Sequence, residues 1–268
     1  MSLTRRQVTT AALAAVPLAV AATGPASAAG SSGRVRREPT VYLAGDSTAA
    51  QKYADARPET GWGMALPFFL RSGLKVSNHA VNGRSSKSFI DEGRLEAILG
   101  VIRPGDFLVV QFGHNDSKVA DPTRYTEPWT TYQDHLRQYI DGARARGARP
   151  VLATSVERRR FDAGGAALPT HGEYPAAMRA LAQEEGVALL DIQALSLALW
   201  QRLGVEETKK YFNWTETEQD NTHFNPPGAV AVARLVASEL LRRRVVAPRD
   251  VRRLNETVPE SWITWPQA

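Results

Sequence analysis

Five short apolar runs alternate along the chain with longer stretches in which apolar residues recur every three or four positions. The short runs are TVYLAG, LKVSNHA, DFLVVQFG, PVLATSV and VALLDI. The longer stretches are GMALPFFLRS, EGRLEAILGVI, TTYQDHLRQYIDGARARG, YPAAMRALAQEEG, a segment after Asp191, and GAVAVARLVASELLRRR. Strands that are apolar throughout and separated by helices are typical of a parallel sheet covered on both faces. The pattern therefore predicts an α/β protein, a three-layer α/β/α sandwich around a doubly wound, mostly parallel sheet.

The first residues have the pattern of an export signal. The paired Arg5 and Arg6 precede an uncharged stretch rich in Ala, Leu and Val, which ends in the small residues ASA at 26–28. This order is typical of a cleaved, twin-arginine-like leader. A membrane anchor is the alternative, but Pro17 and the Gly-Pro pair at 24–25 interrupt the apolar run and leave it short for a bilayer span. We therefore expect a secreted, extracellular bacterial protein with no membrane contact after cleavage.

Composition limits the function classes that the mature chain can have. The sequence contains no cysteine, which excludes thiol catalysis and thiolate metal sites. Its formal net charge is +5, but no nucleic-acid-binding motif accompanies the arginine clusters, so we expect no nucleic-acid partner. We also expect a monomer. The predicted organisation is a leader over 1–28, a linker over 29–38, one folded domain over 39–246 and a C-terminal extension over 247–268.

Polar residues cluster after the predicted strands and before the last helix. The segments are Gly45-Asp46-Ser47-Thr48, His79-Ala80-Val81-Asn82-Gly83-Arg84-Ser85-Ser86, Gly113-His114-Asn115-Asp116 and Asp220-Asn221-Thr222-His223-Phe224. Each alone fits an ordinary turn or helix cap, because Asp, Ser, Asn and Gly favour those positions. Ligands of doubly wound sheets bind at the carboxyl ends of the strands, so together the segments predict one site.

Three of these residues have the chemistry of a nucleophilic serine site. A serine needs a neutral imidazole to take its proton, and the imidazole needs a carboxylate to fix its tautomer. Asp220 and His223 stand three positions apart, which in a single turn puts both side chains on the same side. The Asp220 carboxylate can then reach one ring nitrogen while the other faces Ser47.

The same segments offer donors for a developing oxyanion, which needs preorganised N–H groups. Gly83 lets the backbone approach closely because it lacks a Cβ, and Asn115 supplies a side-chain amide. The N–H of Ser47, expected at a helix N-terminus, would be the third donor.

The order GDS, NG, GHND and DxxH resembles the block pattern of the SGNH (GDSL-like) hydrolases, which have a flavodoxin-like sheet. The strings AGDSTAA, NGRSSKSF, QFGHND, THGEYPAAMR and DNTHFNPPGA are similar to the rhamnogalacturonan acetylesterase branch. The likeness runs from about Thr40 to Arg243. It implies the roles of nucleophile, base and orienting acid for Ser47, His223 and Asp220, and an oxyanion hole made by Ser47, Gly83 and Asn115.

Other side chains near these segments have weaker claims. His114 could orient Asn115 or only pack, and His171 could line a groove or stand at a helix entry. Arg84 and the run Arg158–Arg160 are candidates for contact with uronate carboxylates, although exposed arginine is ordinary on a solvated surface. The five histidines show no metal-ligand spacing, and neither a P-loop nor GxGxxG is present, so we expect no metal and no cofactor.

The resemblance implies a serine esterase that removes O-acetyl groups from a plant cell-wall polysaccharide, with rhamnogalacturonan of pectin as the expected substrate. Two alternatives stay open. One is a different ester, such as acetylated xylan, a small aryl ester, a lipid or a thioester. The other is a carbohydrate-binding protein that keeps the fold without catalysis, against which the complete set of site residues argues.

Overall fold

A five-stranded parallel sheet lies at the centre of the computed structural model, which describes residues 37–268. Its strands are β1 (Thr40–Gly45), β2 (Lys75–Asn78), β3 (Phe107–Gln111), β4 (Arg149–Ala153) and β5 (Ala188–Leu190). Their order in the sheet is β2-β1-β3-β4-β5, the flavodoxin-like order. The predicted fold class is confirmed. The predicted leader, and the linker as far as residue 36, lie outside the described residues.

Helices cover both faces of this sheet. They are α1 (Trp62–Ala65), α2 (Ser86–Asp91), α3 (Arg94–Leu99), α4 (Gln133–Ala145), α5 (Tyr174–Glu184), α6 (Ile192–Thr208) and α7 (Pro226–Arg242). Val41 and Leu43 of β1 belong to the core beneath α1, α6 and α7, whereas Tyr42 and Ala44 belong to a second core beneath α2 to α5. Because neither face of the sheet is open to water, the inner strands β1 and β3 are apolar at successive positions, whereas the edge strand β2 is partly polar and only half-buried.

Two predicted helices are shorter in the structure than the sequence pattern suggests. The stretch over 63–72 forms only α1 and a short 3-10 helix at Leu66–Phe69, which contains Pro67, a residue without an N–H to donate. The stretch over 92–102 forms only the shorter α3, which begins at Arg94 because Gly93, with a φ of +71°, separates it from α2.

A two-stranded antiparallel hairpin precedes α7 and is absent from the predicted elements. Its strands are β6 (Phe212–Trp214) and β7 (Gln219–Phe224). Most residues of β7 are polar and half-buried, so this strand has no continuous apolar run that would predict it.

The predicted C-terminal extension packs against the segment between β1 and β2. Asp250 accepts a hydrogen bond from Nε of Arg71 at 2.5 Å. Nε1 of Trp265 donates to the carbonyl oxygen of Glu59 at 2.8 Å. Within residues 37–268, no helix combines the length and apolar character needed to cross a bilayer.

The first turn of α7 is pressed against the chain that leads into β6. A Cβ at Gly228 would lie 1.8 Å from the carbonyl oxygen of Tyr211. We therefore expect Gly228→Ala to lower the free energy of unfolding by about 1–3 kcal/mol, because the backbone must move to admit the methyl group. Urea unfolding measures the change.

Gly100→Ala is the matched control. Gly100 has helical backbone angles, and a Cβ there meets its nearest atoms at 3.5 Å, so this variant should be neutral or slightly stabilising. Equal unfolding midpoints for the two variants would contradict the close approach at Gly228.

Candidate active site

The four polar segments meet at the carboxyl edge of the sheet. Three of them follow β1, β2 and β3, and the fourth lies in β7. Within this edge, Ser47 follows β1, Gly83 follows β2 and Asn115 follows β3. The neighbours of β1 in the sheet are β2 and β3, so these three loops are adjacent, as a doubly wound sheet requires at its switch point.

A continuous hydrogen-bond chain joins Ser47, His223 and Asp220. Oγ of Ser47 lies 2.9 Å from Nε2 of His223, and Nδ1 of His223 lies 2.6 Å from Oδ2 of Asp220. With the proton on Nδ1, the ring donates to Asp220 and its Nε2 accepts from the serine hydroxyl.

Asp220 and His223 do not lie in the single turn that their spacing predicts, since both belong to β7. The Asp220 carboxylate bends the strand locally. Its Oδ1 accepts the backbone N–H of Thr222 at 2.6 Å and that of His223 at 3.0 Å. A carboxylate that takes neighbouring N–H groups draws in the chain, as in an Asx turn. The side chains three positions apart thereby meet on one side of an otherwise extended segment.

The electrostatics of this pair favour a charged aspartate and a basic histidine. Burial raises the pKa of Asp220, but the side-chain hydrogen bond to His223, helped by backbone N–H bonds and the histidine charge, lowers it to about 2. Burial lowers the pKa of His223, and the hydrogen bond to Asp220 together with the charges of Glu59 and Asp220 outweighs it, so the pKa of His223 lies above its usual value. The imidazole is therefore a stronger base than a free one.

Ser47 lies in a tight turn, and the expectation of a helix N-terminus there is wrong. The carbonyl oxygen of Asp46 accepts the N–H groups of Ala49 and Ala50 at 3.2 and 3.1 Å, and the first α-helix begins only at Trp62. The turn is held from within by its own side chains, because Oδ1 of the fully buried Asp46 accepts both the N–H and the hydroxyl of Thr48, at 2.9 and 2.7 Å. The turn that positions Ser47 is therefore stabilised by the side chain of Asp46 and not by a helix.

Gly83 and Asn115 lie side by side. Nδ2 of Asn115 donates to the carbonyl oxygen of Arg84 at 3.0 Å, which commits one of its two N–H bonds and leaves the other for a ligand. Gly83 has a φ of +77°, and a Cβ there would meet only Nη1 of Arg124, at 3.8 Å. The backbone conformation thus favours glycine there, and the close approach of this backbone to an oxyanion stays a prediction.

The loops after β2 and β3, which carry Gly83 and Asn115, form the oxyanion side of the site. A buried carboxylate connects these two loops. Oδ1 of Asp116 accepts the backbone N–H of Ser86 at 3.0 Å and its hydroxyl at 2.5 Å. Burial raises the pKa of Asp116 to about 7, against the bonds from Ser86 and Thr126. The GHND segment and the segment after β2 are therefore fixed relative to each other.

Lys52 is a member of the site that sequence reasoning missed. Its side chain is fully buried, and Nζ lies 2.5 Å from Oε1 of Glu59 and 2.6 Å from Oδ1 of Asn82. Asn82 precedes Gly83, so the ammonium group of Lys52 fixes the start of the loop that carries Gly83, the oxyanion loop. Burial lowers the pKa of Lys52, and the Glu59 carboxylate acts against that effect. A lysine in a polar stretch carries no sequence signal for burial.

A second buried network supports Asn115 from behind. Nδ1 of His114 lies 3.2 Å from Nε2 of His171, and Nδ1 of His171 lies 3.2 Å from Oε2 of Glu157. His171 is buried, so it packs against His114 instead of lining the surface of a groove. Glu157, which sequence reasoning missed, also accepts from Gln193 at 2.7 Å. Burial holds the pKa of His114 well below its usual value, which keeps this histidine neutral.

The arrangement at the sheet edge is that of a serine hydrolase. A serine hydroxyl is hydrogen-bonded to an imidazole whose other nitrogen is held by a carboxylate, and side-chain and backbone donors lie beside it. In the part of the chain that the structure describes, no three His, Cys, Asp or Glu side chains form a cluster suited to a metal ion.

Comparison with known proteins gives the family. The sequence model of the GDSL-like lipase/acylhydrolase family matches residues 43–231. The chain is 48% identical over 197 residues to "Probable rhamnogalacturonan acetylesterase YesY" of Bacillus subtilis (strain 168), across 74% of this chain and 90% of that protein. It is 45% identical over 206 residues to "Rhamnogalacturonan acetylesterase RhgT" of the same organism, across 74% of this chain and 87% of that protein. The crystal structure of YxiM from Bacillus subtilis is similar with a TM-score of 0.69 and 32% identity, across 78% of this chain and 58% of that one.

The chain therefore belongs to the GDSL-like lipase/acylhydrolase family, that is, to the SGNH hydrolases, and to their rhamnogalacturonan acetylesterase-like branch. It is a carboxylic ester hydrolase. The resemblance drawn from the four sequence blocks is confirmed at the level of the family and the branch.

Removal of the Ser47 hydroxyl should abolish ester hydrolysis. We expect Ser47→Ala to lower kcat on 4-nitrophenyl acetate by roughly three to six powers of ten, because no covalent intermediate can form. A fluorophosphonate probe should label the wild type and not the variant. Ser72→Ala, an exposed serine before β2, is the control and should behave as the wild type. Activity of purified Ser47→Ala within tenfold of the wild type would refute the assignment.

The raised pKa of His223 predicts the acid limb of the pH profile. The base must be neutral to accept a proton, and a pKa above the usual value keeps it protonated up to a higher pH. We expect kcat/KM to fall with decreasing pH around a midpoint above about 6.5. Glu59→Gln, which removes a charge that raises this pKa, should move the midpoint down. A wild-type midpoint at or below about 6.5, the value of an unperturbed histidine side chain, would contradict the prediction.

Proposed function

We propose that the protein is a secreted esterase that removes O-acetyl groups from rhamnogalacturonan in pectin, with Ser47 as nucleophile. The hydrogen-bond chain from Ser47 through His223 to Asp220 carries the proposal. It supplies the three groups that covalent ester hydrolysis needs, in contact with one another.

In the first half of the reaction, Oγ of Ser47 attacks the acetyl carbonyl carbon while Nε2 of His223 takes the hydroxyl proton. The negative charge that develops on the carbonyl oxygen is stabilised by the N–H groups of Ser47 and Gly83 and by the free N–H of Asn115. The tetrahedral intermediate collapses, the sugar oxygen leaves with the proton from His223, and the acetyl group stays on Ser47. Asp220 remains ionised throughout and stabilises the imidazolium.

In the second half, a water molecule attacks the acetyl-enzyme. His223 takes a proton from this water, and the same donors stabilise the second tetrahedral intermediate. Its collapse returns the proton to Oγ of Ser47 and releases acetic acid, which ionises at neutral pH. One base therefore serves both halves.

The relatives support the choice of substrate. Two proteins that are 48% and 45% identical to this chain are named as rhamnogalacturonan acetylesterases. The leader-like residues at 1–28 support export, since a polymer of the plant cell wall is reached only outside the cell.

Acetate release from two polymers tests the substrate. We expect the enzyme to release acetate from acetylated rhamnogalacturonan at a rate at least tenfold above that from acetylated xylan, because the site would bind the pectin backbone around the ester. An enzymatic acetate assay of both polymers, side by side, gives the rates. Ser47→Ala should release none from either.

Different results would separate the parts of the proposal. Release mainly from xylan would keep the serine mechanism and overturn the substrate. Release from neither polymer, with 4-nitrophenyl acetate still cleaved, would also overturn the substrate. Equal rates on octanoate and acetate esters of 4-nitrophenol would contradict acetyl specificity.

A further inference from the structure

A groove of about 520 Å³ opens beside the triad on the side of β7. It is lined by Arg158, Arg159, Arg160, Leu168, Pro169, Thr170 and Asn221. Asn221 follows Asp220 directly, so the groove begins where the triad ends. Three consecutive arginines in one wall give it a positive charge close to the reacting serine.

Arg158 links this groove to the oxyanion side of the site. Its side chain is half-buried, and its Nη2 donates to the carbonyl oxygen of His114 at 3.4 Å. His114 precedes Asn115, so the guanidinium lies between the oxyanion side and the groove. A long hydrogen bond to a neutral carbonyl leaves most of the five N–H donors of an arginine unused.

The carboxylates around Arg158 bind other groups of the protein, and Oδ2 of Asp46 has no hydrogen-bond partner among the described residues. Burial lowers the pKa of Arg158, and the charges of Asp46, Glu157 and Asp220 act against that effect. None of these three carboxylates lies in a salt bridge with Arg158 among the described residues. Glu157 accepts from His171 and Thr170, Asp220 accepts from His223, and Asp46 binds within its own turn. Arg158 is thus a half-buried cation without a carboxylate of its own.

The neighbouring Arg159 shows the opposite pattern. It donates to Oδ1 of Asn221 at 3.0 Å and to the carbonyl oxygen of Val205 at 2.7 Å, and its guanidinium carbon lies 4.4 Å from the ring centre of Trp214. Both of its terminal nitrogens bind the protein, whereas its buried Nε has no hydrogen-bond partner among the described residues, and the side chain forms part of the groove wall. Arg160 is exposed and has no salt bridge among residues 37–268. The run therefore contains one structural arginine between two that remain available.

We infer that this groove is a subsite for a carboxylate of the polysaccharide, with Arg158 as its ligand and Arg160 at its outer rim. The inference rests on the proposed function, since rhamnogalacturonan contains galacturonic acid units and each such unit carries a carboxylate. The planar guanidinium binds a carboxylate through two parallel hydrogen bonds. A uronate held there places an acetyl ester of the same chain beside Ser47. Recognition of charge next to the ester then distinguishes pectin from neutral acetylated glycans.

Inhibition of 4-nitrophenyl acetate hydrolysis tests the subsite without requiring turnover of pectin. The inhibitors are deacetylated rhamnogalacturonan oligosaccharides with free carboxylates and the same oligosaccharides fully methyl-esterified. For the wild type we expect the free-acid form to bind at least about tenfold more tightly, as charge-assisted hydrogen bonds predict. The difference should shrink with added salt, because the groove is partly open to solvent.

Variants assign that difference to Arg158. In Arg158→Gln the inhibition constants of the two forms should become equal. Arg158→Lys keeps the positive charge but loses the two parallel N–H donors of the guanidinium, so its two constants should differ by an intermediate factor. Each constant is referred to the uninhibited rate of the same variant. Arg146→Gln, an exposed arginine at the opposite edge of the sheet, removes the same charge and should leave the wild-type difference intact.

The outcomes separate this inference from the proposed function. Equal binding of both forms by the wild type, or an equal loss of both forms in Arg158→Gln, would overturn the carboxylate subsite even if acetylated rhamnogalacturonan is a substrate. A charge-dependent difference that vanishes in Arg158→Gln, narrows in Arg158→Lys and persists in Arg146→Gln would support the subsite. That result would stand even if acetate release from pectin failed, in which case the natural ester would belong to another acidic glycan.

Discussion

The anchoring of Phe224 is the packing interaction on which the active site depends. The hydrogen bond between Ser47 and His223 joins residues that are 176 positions apart, and no local structure connects them. Phe224, the next residue after His223, is fully buried against Trp200 and Phe212, and its carbonyl oxygen accepts the N–H of Thr60 at 2.8 Å. Because side chains of a strand alternate between faces, fixing Phe224 in the core turns His223 toward the site. The reactive geometry is therefore a property of the hydrophobic core.

Buried polar side chains fix the loops of the active site in position, as the hydrophobic core fixes the strands. Asp46 braces the turn of Ser47, Asp116 joins the two oxyanion loops, and Lys52 fixes Asn82. Burial of such groups is unfavourable unless they are hydrogen-bonded, so each tolerates few alternative arrangements. Loops that would otherwise sample many conformations are thus held in one, which is what preorganised donors for an oxyanion require.

Much of the fold and the candidate site could be predicted from the sequence, because their signals are local. The strands β1, β3, β4 and β5 contain apolar runs, Ser47 stands in a short motif after β1, and Asp220 and His223 stand three positions apart before the last helix. The remaining features depend on tertiary contacts. The hairpin strand that carries Asp220 is polar, and Lys52 and Glu157 are charged residues that become buried only when their partners arrive from distant parts of the chain. Charge predicts exposure from sequence alone, and for these two residues that expectation fails.

The contact of Trp265 with Glu59 connects the C-terminal segment to the oxyanion loop. Glu59 pairs with Lys52, and Lys52 holds Asn82 beside Gly83. During synthesis the domain grows from its amino end, so every strand of the sheet leaves the ribosome before Trp265 does. The segment that supports the donor loop therefore receives this contact only after the whole sheet has been synthesised. Assembly of the active site thus depends on a residue that lies beyond every strand in the sequence.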